Sequence, residues 1–309
     1  MATDRQFLPV VTPETGTRDE NGEGPVSPQL GSPMDSSNAP TRPALVLPDW
    51  RVETGDALAL LPTLEDGSAR LVVTSPPYPG QYGNRMESVE WLQWMDCWLG
   101  LLVGKLAPNG VVVLNVMFRR TAGGWFDRSL FGVAWSPVGL NLLDIYVYGK
   151  TNPPPNGALT YCDPPGWEFV FVLTTAQRPG DVGFQPVRAP YKPKSLRKDG
   201  KLYSRMSKQE PLPHLEGARQ TTLMLMSKSA DQNRPSAKGM SFPRSLPERF
   251  IRQYSRPGEL VVDPFCGVGT TGRMAVELGR RFVGFEIDPD EAERAREWIG
   301  EAADGYAVD

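Results

Sequence analysis

The stretch from Leu260 to Glu286 constrains the fold of this chain more than any other. Leu260-Val261-Val262 is an apolar strand, Asp263 to Thr271 is a glycine-rich turn, the segment to Leu278 is helical, and Arg281 to Glu286 is a second strand. Two strands joined through a helix run parallel, because a parallel pair needs a crossover of about a dozen residues or more. A parallel sheet is covered on both faces, which makes the chain an α/β protein with a doubly wound, mostly parallel sheet. Little chain follows Val262, so the remaining strands must come from residues 45 to 175.

Those strands can be read in order. Trp50-Arg51-Val52 is short and ends at Gly55-Asp56, where Asp56 caps a short helix that runs to Leu61. Ala69 to Thr74 is a second strand. Ser88 to Leu106 has helical periodicity, with Val89, Leu92, Met95, Leu99 and Leu102 on one side and Trp91, Trp94 and Trp98 assigned to packing. After a turn at Pro108-Asn109-Gly110, Val111 to Val116 is an apolar strand of the kind a parallel sheet buries on both faces. Trp125 to Leu143 reads as partly helical, Asp144 to Tyr148 and Glu168 to Leu173 as strands, and Phe242 to Ser255 and Asp290 to Ile299 as helices.

Composition sets the outer limits. The chain has 309 residues, 40% hydrophobic and 22% charged, which fits one large domain or two modest ones, with ample apolar material for a core. Residues 1–44 are rich in Pro, Gly, Ser and acidic side chains and read as a disordered tail, with the domain proper at 45–309. No apolar run approaches the roughly 20 residues that span a bilayer, and no signal-peptide core stands near the start, so a cytoplasmic protein away from membranes is expected. Cys97, Cys162 and Cys266 are odd in number and widely spaced, and His214 is the single histidine. No disulfide framework or metal site is expected, and the cysteines are read as structural.

From residue 176 to about 240 periodicity fades and positive charge gathers, so this segment reads as an irregular insert. Arg188, Lys192, Lys194, Arg197, Lys198, Lys201, Arg205 and Lys208 stand among Tyr191 and Tyr203. Such a run suits either a solvated surface or the phosphates and bases of a nucleic acid. Its place in a long irregular segment of a compact domain favours binding. With a net charge of only −3, a polyanion would have to be met by this local patch.

Two loops carry the chemistry. Gly267, Gly269 and Gly272 follow a strand and open a helix, and Glu286 closes the next strand, which is the layout of a nucleotide site. Phe265 and Cys266 crowd a turn that a pyrophosphate would need, which counts against a dinucleotide-dependent oxidoreductase. The second loop is Thr74-Ser75-Pro76-Pro77-Tyr78. Pro76 and Pro77 lack the N–H of a sheet ladder, so the backbone leaves the sheet at Ser75 in a stiff, extended turn. This turn is either a simple proline-terminated strand end or a grip for a planar ring bearing an amino group, with Tyr78 as a flat face. Read together, the loops form a two-substrate crevice at the sheet's switch point.

At these residues the chain resembles the amino-methylating DNA methyltransferases, in the permuted order that puts the catalytic motif ahead of the cofactor motif. The resemblance covers roughly Trp50 to Ile299 and implies a Rossmann-like methyltransferase fold. Thr74 to Tyr78 is similar to the catalytic motif in its serine form, typical of N4-cytosine enzymes, and makes Ser75, Pro76, Pro77 and Tyr78 the catalytic candidates. Asp263 to Thr271 resembles the S-adenosyl-L-methionine loop. The implied cofactor residues are Asp263, Phe265, Gly267, Gly269, Thr270 and Thr271, with Glu286 at the ribose, Asp56 near the adenine, and Phe242 and Pro243 at the methionine pocket. Lys238 departs from the family, which often has a histidine there. The basic insert falls at the target-recognition region. The resemblance implies methylation of cytosine N4 in a specific sequence of double-stranded DNA, after the base is flipped out, with direct transfer and Tyr78 stacked on the base. A restriction–modification setting, a cognate restriction endonuclease and a homodimer are further implied possibilities. Adenine N6 methylation, or a DNA-binding protein that keeps the fold without catalysis, are the alternatives.

Overall fold

The structure, a computed structural model, describes residues 49–78, 86–117, 139–150, 166–189, 218–219, 222–226 and 241–306. All lie in one compact unit, Leu45–Asp309. Its centre is an eight-stranded sheet. The strands are β1 (Trp50–Thr54), β2 (Ala69–Thr74), β3 (Leu106–Val116), β4 (Asn141–Lys150), β5 (Trp167–Thr174), β8 (Leu223–Met226), β9 (Leu260–Asp263) and β10 (Arg281–Glu286). A separate pair joins β6 (Arg188–Ala189) to β7 (Ala218–Arg219). The order across the sheet is β1-β10-β9-β2-β3-β5-β4-β8. All neighbours are parallel except β3 with β5 and β5 with β4.

This order follows from the crossover. β9 is joined to β10 through α4 (Thr270–Glu277), and the pair inserts between β1 and β2, which are consecutive in the chain. Helices α3 (Ser245–Tyr254), α4 and α5 (Pro289–Tyr306) cover one face. Helices α1 (Ala57–Leu60) and α2 (Ser88–Val103) lie on the other. The central residues Leu71, Val72, Val73, Val111, Val112, Val113, Val261 and Val262 have no exposed surface, which is why β2, β3 and β9 read as unbroken apolar runs rather than alternating ones.

Several expectations change. In α2 the inward stripe is Trp91, Met95, Trp98, Leu99 and Leu102, while Val89 is 62% exposed. The large rings take the buried side, and the stripe is rotated away from Val89. Residues 125–138 lie outside the described residues, but Asn141–Leu143 are extended in β4 rather than helical. Asn109 adopts φ 58° inside β3, so the expected turn is a left-handed step within a longer strand. The segment 176–240 is not wholly irregular: Ala176 and Val182 enter the core, and β8 extends the main sheet beside β4. Cys97 is exposed on α2 and Cys266 is buried, while Cys162 lies outside the described residues. The tail 1–44 is also outside them. Among the described residues no helix is long and apolar enough to cross a membrane.

Candidate functional site

The site lies where the sheet splits. The ladder between β2 and β9 ends at Val72↔Val262, after which β2 continues only with β3, to Thr74↔Leu114, and β9 only with β10, to Asp263↔Gly284. A crevice therefore opens at the carboxyl ends of β2 and β9, the switch point expected to hold ligands in such sheets. Side chains take over where the ladder stops. Thr74 Oγ1 donates to Asp263 Oδ1 at 2.7 Å, the Phe265 amide donates to the same oxygen at 3.1 Å, and Thr271 Oγ1 donates to the Val73 carbonyl at 3.2 Å.

The glycine turn sits on the β9 side. Gly267 and Gly269 have φ of 52° and 86°, left-handed values that glycine adopts without strain. A side chain at Gly267 would meet nothing within 4 Å, so open space adjoins the turn there. Gly272 differs: a Cβ would come within 2.4 Å of Ile299 Cδ1 and 2.5 Å of Phe282 Cε1, so its smallness serves helix packing, not a ligand. Glu286 holds the turn in shape. Its Oε2 accepts the Gly267 amide at 2.7 Å and its Oε1 the Asp288 amide at 2.9 Å. Each carboxylate oxygen keeps a lone pair for a further donor. Asp56 stands at the neighbouring strand end, because the Gly55 amide donates to the Glu286 carbonyl at 2.8 Å, and its carboxylate caps α1 through Leu58 at 3.0 Å.

Three of the expected cofactor residues have buried side chains. The Asp263 side chain is 1% exposed and turned onto Thr74 and Phe265, while Thr270 and Thr271 are also buried. These side chains build the floor of the crevice instead of lining it. Burial pushes the Asp263 carboxyl up to about 6, against the hydrogen bonds from Thr74 and the Phe265 amide and with the nearby charge of Glu286. Phe265 is half-buried, its ring 5.3 Å from Trp94 and 5.2 Å from Trp98 between centroids. Phe242 and Pro243 directly precede α3, and Arg244 beside them pairs with Glu277 in the last turn of α4. That ties this segment to the end of α4 remote from the glycine turn.

The Ser75 turn sits on the β2 side. Trp91 Nε1 donates to the Pro77 carbonyl at 2.7 Å, fixing the turn to α2. Tyr78, expected to present its face, is only 6% exposed and packs in the core cluster with Trp91. The reason is its hydroxyl, which donates to the Asn115 carbonyl at 2.9 Å. A phenol has one hydrogen. In the 2.6 Å bond between Ser75 Oγ and Tyr78 Oη, Ser75 is therefore the donor, and both lone pairs of Ser75 Oγ remain as acceptors. Burial, with the charge of Glu168, raises the Tyr78 phenol far above its usual range, so it stays neutral.

Sequence reasoning missed the residues behind this turn. Asn115 Nδ2 donates to Glu168 Oε2 at 2.5 Å, and Lys150 pairs with Glu168. Asn115 was visible as the one polar residue in the apolar run Val111–Val116, and Thr74 as the hydroxyl that ends Leu71-Val72-Val73. Of the expected nucleic-acid contacts, the backbone of Arg188 lies in β6. Lys192, Lys194, Arg197, Lys198, Lys201, Arg205 and Lys208 fall outside the described residues.

Comparison with known proteins follows the same lines. The family model described as DNA methylase matches residues 69–297. The type II methyltransferase M.PvuII of Proteus hauseri is 28% identical over 298 residues, covering 85% of this chain and 87% of that protein. The type II methyltransferase M.XycI of Xanthomonas campestris pv. cyanopsidis is 26% identical over 286 residues, covering 80% and 86%. Among solved structures, the PvuII DNA methyltransferase (cytosine-N4-specific) has TM-score 0.61 at 20% identity, covering 87% of this chain and 96% of that one. A DNA modification methylase of Thermus thermophilus, TTHA0409, complexed with S-adenosyl-L-methionine, has TM-score 0.55 at 24% identity, covering 82% and 95%. These structures share the fold, an α/β methyltransferase sheet.

Proposed function

The chain belongs to the N6/N4 DNA methylase family, and from that premise we propose that it transfers a methyl group from S-adenosyl-L-methionine to cytosine N4 in double-stranded DNA. The observation that carries the choice of an amino group is the hydrogen count at Ser75. Its proton is committed to Tyr78, so Ser75 Oγ can only accept from a substrate, which suits an N–H donor.

The glycine side fits the cofactor. Gly267 adjoins open space, and Glu286 keeps lone pairs for the paired hydroxyls of a ribose while anchoring the turn. Asp56 at the adjacent strand end is assigned to the adenine, with Phe265 and Gly269 closing the turn and Phe242 and Pro243 retained as candidates for the methionine end. When bound, S-adenosyl-L-methionine supplies an electrophilic methyl group on a sulfonium.

The chain's own residues then have three tasks. Ser75 Oγ and the Pro76 carbonyl accept hydrogen bonds from the base amino group, which localises a nitrogen lone pair otherwise delocalised into the ring. Pro76 and Pro77 keep these acceptors rigid, so that orientation does most of the catalytic work. The base must leave the duplex to reach them. No covalent intermediate is required, and the cysteine beside the turn is unsuited to one: burial, with the charges of Asp263 and Glu286, pushes the Cys266 thiol well up.

Support for cytosine over adenine comes from the serine form of the motif and from the N4-cytosine-specific enzyme whose fold this chain shares. We assign target recognition to the insert between residues 176 and 240, through its run of Lys and Arg. The similar type II methyltransferases favour a restriction–modification setting in the cytoplasm, with a cognate endonuclease as partner. The test is to incubate the full chain with varied duplex DNA and S-adenosyl-L-methionine, digest the DNA and identify nucleosides by mass. N4-methylcytosine is expected. N6-methyladenine would overturn the base assignment, and the absence of any methylated nucleoside would overturn the enzymatic reading.

A further inference from the structure

The crevice exists because β2 and β9 part company after Val72 and Val262. Past that point the backbone no longer holds the Ser75 turn and the glycine turn at a set distance. Yet their separation is what a transfer between two bound partners depends on, since reacting atoms must be held about 3–3.5 Å apart. Side chains cross the split. The Thr74 hydroxyl, one residue before Ser75, donates to Asp263, whose same oxygen takes the amide of Phe265 in the opposite turn. The Thr271 hydroxyl, in the first turn of α4, meets the Val73 carbonyl that the ended ladder would leave without a partner.

This crossing is costly to build. A buried carboxylate is penalised unless donors surround it, and a neutral acceptor would bridge the same gap more cheaply. A charged oxygen accepts more strongly than a neutral one, so it makes a stiffer link. Resting on the methylase reading, we infer that Thr74 and Asp263 are positioning residues: they set the gap between the base-holding turn and the cofactor-holding turn, without touching either substrate. Neither side chain has the exposure to touch a ligand. Thr271 is the second leg of the same brace.

The test uses the full chain as wild type, Thr74→Val, which keeps the shape and removes the hydroxyl, and Thr74→Ser, which restores it. Three quantities are read: amide hydrogen exchange without ligand, S-adenosyl-L-methionine affinity by calorimetry, and the single-turnover rate of methyl transfer to DNA. In Thr74→Val the Ser75 and Tyr78 amides and those of residues 265–269 should exchange faster, with α5 and β10 unchanged. Its transfer rate should fall roughly 10- to 100-fold, cofactor affinity should stay within about 3-fold, and Thr74→Ser should recover most of the rate. A wild-type transfer rate in Thr74→Val overturns the inference, as does faster exchange throughout the protein with a loss of rate that follows it. Should Thr74→Val not fold, Thr271→Val removes the other leg and the same readouts apply. If the wild type itself transfers no methyl group, the methylase reading has failed, and the brace stands or falls on exchange alone: faster exchange confined to the two turns upholds it, and unchanged exchange overturns it.

Discussion

Gly267 and Gly272 belong to one sequence pattern, and the structure assigns them different work that two alanine substitutions can separate. At Gly272 the added methyl would sit 2.4 Å from Ile299 Cδ1 and 2.5 Å from Phe282 Cε1, both on side chains with no exposed surface. Relieving such overlap in a close-packed region costs about 1–3 kcal/mol. The helix propensity of alanine over glycine returns about 1 kcal/mol, which leaves Gly272→Ala less stable by up to about 2 kcal/mol. At Gly267 the methyl meets nothing, and the cost is the left-handed backbone, about 1–2 kcal/mol. Stability alone would not distinguish them. Cofactor affinity would: on the proposed function the ligand approaches through the open space beside Gly267, so Gly267→Ala should bind S-adenosyl-L-methionine at least about tenfold more weakly, a loss of about 1.4 kcal/mol or more. Gly272→Ala should bind it as the wild type does. Urea unfolding gives the first quantity and calorimetry on the folded protein the second. A Gly272→Ala protein that binds cofactor as poorly as Gly267→Ala, or a Gly267→Ala protein that binds it as the wild type does, would refute the division.

Further outcomes test single groups. Asp263→Asn should raise stability at neutral pH: the rise of the carboxyl from 3.8 to about 6 means that the folded state binds an extra proton between those values, so stability falls as pH increases through that window and stays lowered above it. The rise corresponds to about 3 kcal/mol, so the variant should gain up to that much at pH 7.5 and nothing near pH 4. Denaturant titrations at both pH values check the sign, and an equal gain at pH 4 would sink it. Glu286→Gln places an amide NH2 against one of the two backbone donors and should weaken cofactor binding roughly 10- to 100-fold, in line with a lost charged hydrogen bond; unchanged affinity would remove Glu286 from the site. Ser75→Ala should cut methyl transfer by two orders of magnitude or so, on the scale of a lost preorganised polar contact, with cofactor affinity intact; full activity would end its assignment as acceptor. Tyr78→Phe frees the Ser75 hydrogen and should slow transfer several-fold, which a rate equal to wild type would contradict.

What the sequence disclosed, and what it withheld, divides along physical lines. The βαβ unit at Leu260–Glu286 was legible because strand, glycine turn and helix each leave a local pattern, and so was the proline turn at Ser75. Strand direction was not: β5 looks like any apolar run, and only its pairing with β3 and β4 shows it to be antiparallel. β8 was hidden because Leu223-Met224-Leu225-Met226 is too short for periodicity and made of residues without a strand preference. Within the site, burial was what the sequence withheld: Asp263, Thr271 and Tyr78 stand in the two motifs, yet their side chains are buried, and sequence adjacency cannot tell an open side chain from a covered one.

The insertion of β9 and β10 between β1 and β2 also bears on how the chain is made. On a ribosome, β1, β2 and β3 emerge early, but β1 and β2 cannot neighbour one another in the finished sheet; the strands that separate them are near the last to appear. The growing chain must therefore wait with unpaired strand edges on either side of a gap that only Leu260 onward can fill. Contacts such as that between Thr74 and Asp263, 189 positions apart, close last and close a long loop. Slow, late completion of this kind exposes apolar edges to other chains, so nascent chains stalled before Leu260 should aggregate or be held by chaperones, while release of the full length lets the sheet zip shut.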